Sequence, residues 1–338
     1  MNFQQLKYVR AAVQNNLNLT EVANVLFTSQ SGVSKQIKEL EAELGIEIFV
    51  RRGKRLVGVT PAGESVVKVI NSLLAEADNL KRLSQQFTQE DSGRLIIAAT
   101  HNQARYVIPP ILLQFTRLYP QVELELRQGS PKDVAEMLIR GEADIGVATE
   151  AVDGVPELDT HSCFTWEHVV VVPVHHPLLR IGNPTLADIA RYPIITYNPG
   201  FSGRSKIDAA FAAAGVQPDI RLTAADADVI KDYVQLGLGV GIVAEMAVVD
   251  QLREGLVPVP GSHQSFGVST TKVAIPRGLL LRNYAYRFVE ALAPHLDHAV
   301  LSGAARRPSS QRPAGILPFP HWRELHAPRT DLTLVSSG

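Results

Sequence analysis

Apolar residues at Phe3, Leu6, Val9, Val13 and Leu17 recur every three or four positions, which lays one apolar stripe along a first helix. Asn18 suits the free amides of a second helix, with Glu21 three residues on in the manner of a capping box. Ala23, Val25 and Leu26 fall inside that helix. Phe27-Thr28-Ser29 breaks the pattern. A third helix then carries Val33, Ile37, Leu40 and Leu44 on its buried side, and Gly45 supplies its stop. Short strands are predicted over 46–49 and 56–59, around Arg51-Arg52-Gly53-Lys54-Arg55. From Pro61 to Phe87, Val66, Ile70, Leu73, Ala77, Leu80 and Phe87 keep a heptad-like spacing in which Ser84 is the one polar member. About 27 residues at ~1.5 Å each make a rod of ~40 Å. Its apolar seam needs cover, from its own chain or from a second helix.

The period changes at Gly93. Strands are predicted over 95–99, 122–126 and 143–148, separated by a helix over 103–119, kinked or restarted at Pro109-Pro110, and one begun by Ser130-Pro131-Lys132-Asp133. Strand–helix–strand alternation implies a parallel-rich sheet. A second such unit follows. It has strands over 169–174, 194–197, 220–223 and 239–243, and helices begun by Thr185 and near 205–214 and 228–236. A strand over 271–275 and a helix over 280–293 close it. Residues 294–338 lose periodicity and are rich in Pro and Arg, the composition of a poorly ordered extension.

Composition narrows the class. The 338 residues are 45% hydrophobic and 20% charged, with 33 Lys+Arg against 34 Asp+Glu, so any affinity for nucleic acid must be local. One cysteine, Cys163, excludes a disulfide within the chain and a multi-cysteine zinc site, and a buried structural thiol is expected. With no signal-peptide layout and no apolar run of membrane-spanning length, a soluble cytoplasmic protein is expected.

The local exception is the amino-terminal region. Two helices joined by a tight turn, the second polar at its start, is the helix-turn-helix plan. Thr28, Ser29, Gln30, Ser31, Ser34, Lys35 and Lys38 offer hydroxyls, an amide and two long cations, suited to base edges and phosphates. Arg51, Arg52, Lys54 and Arg55 suit a wing against phosphates or the minor groove. Each piece alone also fits a solvated helix or a charged turn; their order favours double-stranded DNA as a partner. From Ala23-Asn24-Val25-Leu26-Phe27-Thr28-Ser29-Gln30-Ser31-Gly32-Val33-Ser34 through Lys35-Gln36-Ile37-Lys38-Glu39-Leu40-Glu41, the chain resembles LysR-type transcriptional regulators. Leu44-Gly45-Ile46-Glu47-Ile48-Phe49 and Thr60-Pro61-Ala62-Gly63 extend the resemblance.

The resemblance implies an α/β protein with three parts. These are an N-terminal winged helix-turn-helix (1–58), a long linker helix (59–90) that pairs with a second subunit, and a periplasmic-binding-protein-like effector module of two α/β subdomains. The first subdomain would span 91–164 plus 269–293, the second 165–268, and 294–338 would be tail. It implies a homo-oligomer, a dimer of dimers, reading promoter DNA with RNA polymerase as a further partner and catalysing no reaction.

Ligands of such sheets bind beyond the strand ends, where helix starts converge. Three strand ends here are rich in hydroxyls and amides: Thr100-His101-Asn102-Gln103, Thr149-Glu150, and the run from Tyr197 to Arg204. Helix capping would also explain each one singly. Together with Gln128-Gly129-Ser130-Pro131 and Ala225-Asp226-Ala227-Asp228, these runs resemble the CysB-like branch, the regulators of cysteine, sulfate and organosulfur assimilation. That branch implies no cofactor but a small effector: sulfate, thiosulfate, an acetylserine or adenylyl sulfate. It carries anion contacts onto Thr100, Gln103, Thr149 and Ser202; Asn102 stands where a hydroxyl is common, and Ser202 where Thr is. An aromatic or other carboxylate as effector stays open. So do a two-lobed anion-handling enzyme with an added DNA-binding head, and a solute-binding protein.

Other groups carry less. His175-His176-Pro177 lacks nearby Cys or carboxylates, so no metal is expected. Gly237, Gly239 and Gly241 fail the dinucleotide fingerprint because Ile242 takes the third glycine's place. Asp226 and Asp228 precede a helix and read as capping residues.

Overall fold

A computed structural model describes residues 1–88, 92–201, 203–248, 255–301 and 320–322. The chain divides into two compact units, residues 1–88 with 278–280, and residues 89–277 with 281–338.

The first unit begins with α1 (Phe3–Gln14), α2 (Leu19–Val25) and α3 (Gln30–Leu44). Side-chain caps fix their starts: Asn2 accepts from Gln5, Asn18 from Thr20 and Glu21, and Ser29 from Gly32. Gly45 ends α3 at φ +68°, a conformation only glycine takes without strain. The hairpin β1 (Phe49–Arg52) and β2 (Arg55–Val59) starts later than its apolar pattern suggests. Ile46 and Glu47 stay outside it, and the buried Glu41 carboxylate accepts the amides of Ile48 (2.9 Å) and Phe49 (3.1 Å). The cations Arg51, Arg52 and Arg55 therefore lie on the strands, and only Gly53 and Lys54 form the turn.

The long helix α4 spans Pro61–Thr88. Its seam is split. Ile70 and Leu74 are buried in one core with Val9, Val33, Ile37, Leu40 and Phe49, so the first turns pack on their own unit. Val69, Leu73, Leu80 and Leu83 form a separate exposed stripe. The side chain of Phe87 lies outside the described residues.

The second unit is built on one sheet path ordered β4-β3-β5-β11-β6-β9-β7-β8, with β10 paired to β6. In chain order its first lobe contains β3 (Ser92–Ala99), α5 (Ile108–Leu118), β4 (Gln121–Gln128), α6 (Pro131–Ile139) and β5 (Ile145–Thr149). A π-turn at Gln103–Val107 precedes α5, so the chain restarts where Pro109 and Pro110 interrupt it. Strand β6 (Leu158–Pro173) is far longer than its Val-rich core suggested. Its first part pairs antiparallel with β11 (Val268–Pro276), and its last part with β9 (Val240–Ala244) and β10 (Leu256–Pro258). The second lobe adds α7 (Leu186–Ile189), β7 (Ile194–Tyr197), α8 (Arg204–Ala213), β8 (Ile220–Ala224) and α9 (Ala227–Gln235) around an apolar core that includes Val170, Ile194, Ile230 and Ile242. Strands β6 and β11 are thus the two connections between lobes. After β11, α10 (Asn283–Leu292) returns to the first lobe, where Tyr284 and Phe288 meet Phe115 edge-on.

The tail departs from its composition in the residues described. It has a last short helix, α11 (His298–Leu301), and residues 320–322 touch β6. The rest of it lies outside the described residues. No helix among them is long and apolar enough to cross a membrane.

Glu41 is the polar keystone of the first unit, since it also pairs with Arg51 at 2.8 Å. Glu41→Ala should lower that unit's stability by about 2–3 kcal/mol, the cost of stranding buried donors. Urea unfolding should show the loss, and Glu41→Gln, which keeps an acceptor, should recover part of it.

Candidate functional site

In the first unit, Val33, Ile37 and Leu40 anchor α3 in the core, which leaves the opposite face outward. Thr28, Ser29, Gln30, Ser31, Lys35 and Lys38 are exposed and Ser34 half-buried on that face. Ser29 spends one lone pair capping α3 and sits 3.3 Å from the Ser31 hydroxyl. Among the described residues Lys35 has a single loose ion pair, with Glu39 at 3.8 Å. The wing cations differ among themselves. Arg52, Lys54 and Arg55 are exposed and make no ion pair with any described residue, whereas Arg51 is drawn inward by Glu41. Phe27 was outside the expected contact set. It is 97% exposed at φ +51° in the turn before α3, an unfavourable state for a bulky residue. An aromatic in a loop between two helices carries no periodicity to mark it.

In the second unit, Thr100, Asn102 and Gln103 follow β3, and Thr149 ends β5; all four are buried. The Thr100 amide donates to Val147 O at 3.1 Å, which ties the two strand ends together. Gln103 Nε2 donates to Thr271 Oγ1 at 2.9 Å, and Thr271 is the register partner of Thr149. Asn102 reaches across to the second lobe, where its Nδ2 donates to Tyr197 Oη at 3.0 Å. That hydroxyl also accepts the Ala244 amide at 3.0 Å. Burial raises the Tyr197 phenol to about 12, so it stays protonated. Ser202 lies outside the described residues.

Three of these side chains keep an unused polar atom. Thr100 Oγ1, Asn102 Oδ1 and Gln103 Oε1 are buried with no hydrogen-bond partner among the described residues. So are Trp166 Nε1 and both nitrogens of His168, two side chains that the Val-rich strand pattern did not single out. The rings of Trp166 and His168 lie 4.8 Å apart, and His168 lies 6.3 Å from the Tyr197 ring. Burial lowers the His168 imidazole to about 3, so it is neutral and offers one donor and one acceptor. Gly203, at φ +86°, lets the loop before α8 pass against it; a Cβ there would sit 1.9 Å from His168 Nε2. Each such orphan costs about 1–3 kcal/mol unless a ligand or water meets it. The cluster is thus built of neutral donors and acceptors, the chemistry of a small polar or anionic guest.

Beside it lies a charged bridge between the lobes. Asp226 caps α9 by accepting the Val229 amide, as its position suggested. Asp228 does more. Its carboxylate accepts from Tyr106 Oη at 2.6 Å, pairs with Lys231 Nζ at 2.8 Å, and lies 3.4 Å from both Arg105 Nε and His101 Nε2. Burial pushes this carboxyl upward, but the bonds from Lys231 and Tyr106 outweigh it and hold it down at about 2. Burial, then the bond to Asp228, raises the Tyr106 phenol. His101, Asp226 and Asp228 lie close enough to share an ion, yet Lys231 and Arg105 already balance Asp228. His176 uses Nδ1 to accept the Leu178 amide and packs on Tyr192. Burial lifts the Cys163 thiol to about 12, which leaves it protonated and inert.

Comparison with known proteins agrees with both halves of the chain. The pattern of the bacterial regulatory helix-turn-helix protein, lysR family, matches residues 3–64, and that of the LysR substrate binding domain matches residues 88–297. The HTH-type transcriptional regulator SsuR of Burkholderia cenocepacia is 56% identical over 306 residues, 90% of this chain and 99% of that protein. The regulator cbl of Escherichia coli is 51% identical over 86% of this chain and 92% of its own length. Among solved structures, the cofactor-binding domain of the Cbl transcriptional regulator aligns with TM-score 0.61 and 43% identity, covering 65% of this chain and 96% of that one. A full-length OxyR variant from Pseudomonas aeruginosa shares the fold at TM-score 0.64 and 21% identity, over 88% and 94% of the two chains.

The sign of the Asp228 shift gives a pH test. A depressed carboxyl stabilises the folded state above its unfolded pKa, and the contribution is lost as pH falls toward the folded value. Asp228→Asn should therefore melt below the wild type near neutrality. The gap should hold down to about pH 5 and narrow from there to about pH 2, as read by differential scanning calorimetry.

Proposed function

The chain belongs to the LysR family of bacterial helix-turn-helix regulators, and from that premise we propose that it controls sulfur-assimilation genes in response to a small anionic or polar effector. The resemblance to SsuR, cbl and CysB proteins over most of their lengths supports the branch. The observation that carries the effector reading is the set of buried polar atoms on Thr100, Asn102 and Gln103, beside Thr149, that have no partner among the described residues. Ser202 completes the contact set by resemblance. A sulfate-like group needs neutral hydrogen-bond donors. The Thr100 hydroxyl is one, and each carboxamide keeps a second N–H beyond the one given to Tyr197 or Thr271. The open oxygens of Asn102 and Gln103 accept, and suit the hydroxyl or amide hydrogens of a polar effector. Sulfate, thiosulfate, an acetylserine and adenylyl sulfate fit that description.

The head would read promoter DNA with Ser34, Lys35 and Lys38 of α3, and Arg52, Lys54 and Arg55 would meet phosphate. The exposed stripe Val69, Leu73, Leu80 and Leu83 suits a second copy of α4, which makes a homo-oligomer engage two half-sites. A dimer of dimers, contact with RNA polymerase and a cytoplasmic location belong to this reading. Effector binding would favour one lobe arrangement over another and so change how the heads sit on DNA.

A thermal-shift panel of sulfate, thiosulfate, O-acetylserine, N-acetylserine, adenylyl sulfate and benzoate tests the effector class. At least one sulfur-pathway compound should stabilise the protein; stabilisation by benzoate alone would replace the sulfur reading with a carboxylate sensor. Thr100→Ala should lose effector response in a gel shift while keeping DNA affinity. Arg52→Ala should reduce the salt slope of DNA binding by about one, whereas Arg51→Ala should act through stability of the head.

A further inference from the structure

Residues 320–322, the part of the tail described beyond α11, are seated on the strand that joins the lobes. The Thr165 amide donates to Pro320 O at 3.0 Å, and Thr165 pairs with His321 in a parallel β-bridge. Trp322 is 6% exposed. His321 Nε2 lies 2.7 Å from Glu245 Oε1, and Glu245 is a carboxylate 1% exposed. Glu245 also accepts the Glu167 amide at 2.9 Å. Residues 320–322 lie beyond 297, where the family pattern ends.

Both anchors are one residue from the polar cluster. Thr165 precedes Trp166, and across β11 its register partner is Thr270. The Thr270 amide donates to Glu150, and the next residue, Thr271, holds Gln103. Glu245 follows Ala244, whose amide holds the Tyr197 hydroxyl that Asn102 reaches. A segment that fixes Thr165 and Glu245 therefore fixes the backing of both walls. A carboxylate this deeply buried needs donors, and removing His321 takes one away.

We propose that Pro320–His321–Trp322 is an intramolecular strap. It adds one bridged residue, His321, beside Thr165 of β6 and stabilises the lobe arrangement in which the polar cluster is assembled. Strap seating and occupancy of the cluster then reinforce one another, because coupling between two sites is reciprocal. The binding half of this inference rests on the effector reading above; the seating half does not.

The two tryptophans make the test direct, since 5-fluorotryptophan labelling of the full chain gives two resonances, assigned with Trp322→Phe. In the unmodified chain the Trp322 resonance should be shifted from the solvent position. His321→Ala should move it to that position and raise hydrogen exchange at Thr165, Thr270 and Ala244 by about tenfold. The same variant should weaken thiosulfate binding about fivefold or more. His321→Gln, which still donates to Glu245, should restore all three. A Trp322 resonance at the solvent position in the unmodified chain would overturn the strap. So would unchanged exchange, or unchanged thiosulfate affinity, in His321→Ala. If thiosulfate binds no form while the resonance and exchange effects persist, the seated strap stands and thiosulfate is removed from the effector reading.

Discussion

The second unit is governed by the cost of burying polar atoms without partners. Thr100, Asn102 and Gln103 each hold one such atom at the seam between lobes, and Trp166 and His168 add more. A fold under no other pressure would place apolar groups there, as it does throughout the valine-rich remainder of β6. The penalty is borne because the strands on either side are well supported. Strand β11 is paired along its length with β6, and Asp228 ties Tyr106 and Arg105 to α9. Rigid surroundings keep the unsatisfied groups from collapsing onto one another, which is what a site for a small polar guest requires.

The amino-terminal unit admits one charge pair to its interior and balances it there. Glu41 spends its carboxylate on the entrance to the hairpin and on Arg51, so one wing cation is internal. The remaining wing cations pair with no described carboxylate and stay available for phosphate. This division could not be read from five consecutive residues with four positive charges. It depends on which strand position faces α3.

Much of the architecture was legible because it rests on short-range rules. Caps at Asn18, Ser130 and Thr185, the stop at Gly45 and the break at Pro109-Pro110 all act within a few residues, and the observed elements start or end there. The polar strand ends were visible for the same reason. What escaped is long-range. The extent of β6 is set by partners about a hundred residues away in β11. Asp228 looks like a capping residue until Tyr106, 122 residues earlier, is brought beside it. His168 opens a run of valines, and only the fold shows that its nitrogens lack partners among the described residues. The seam of α4 looked single because the helical period cannot tell which of two adjacent apolar faces meets its own domain.

That two-sidedness bears on how orientation is transmitted. Ile70 and Leu74 weld the first turns of α4 to the same core that holds α3 by Val33 and Ile37. Successive residues of a helix are turned by about 100°, so whatever grips the stripe beginning at Val69 and Leu73 sets the bearing of α3 as an axle sets its wheel. A slip of one residue in that grip would swing the reading edge through a quarter-turn or more, and half-sites arranged for the original bearing would no longer be met together.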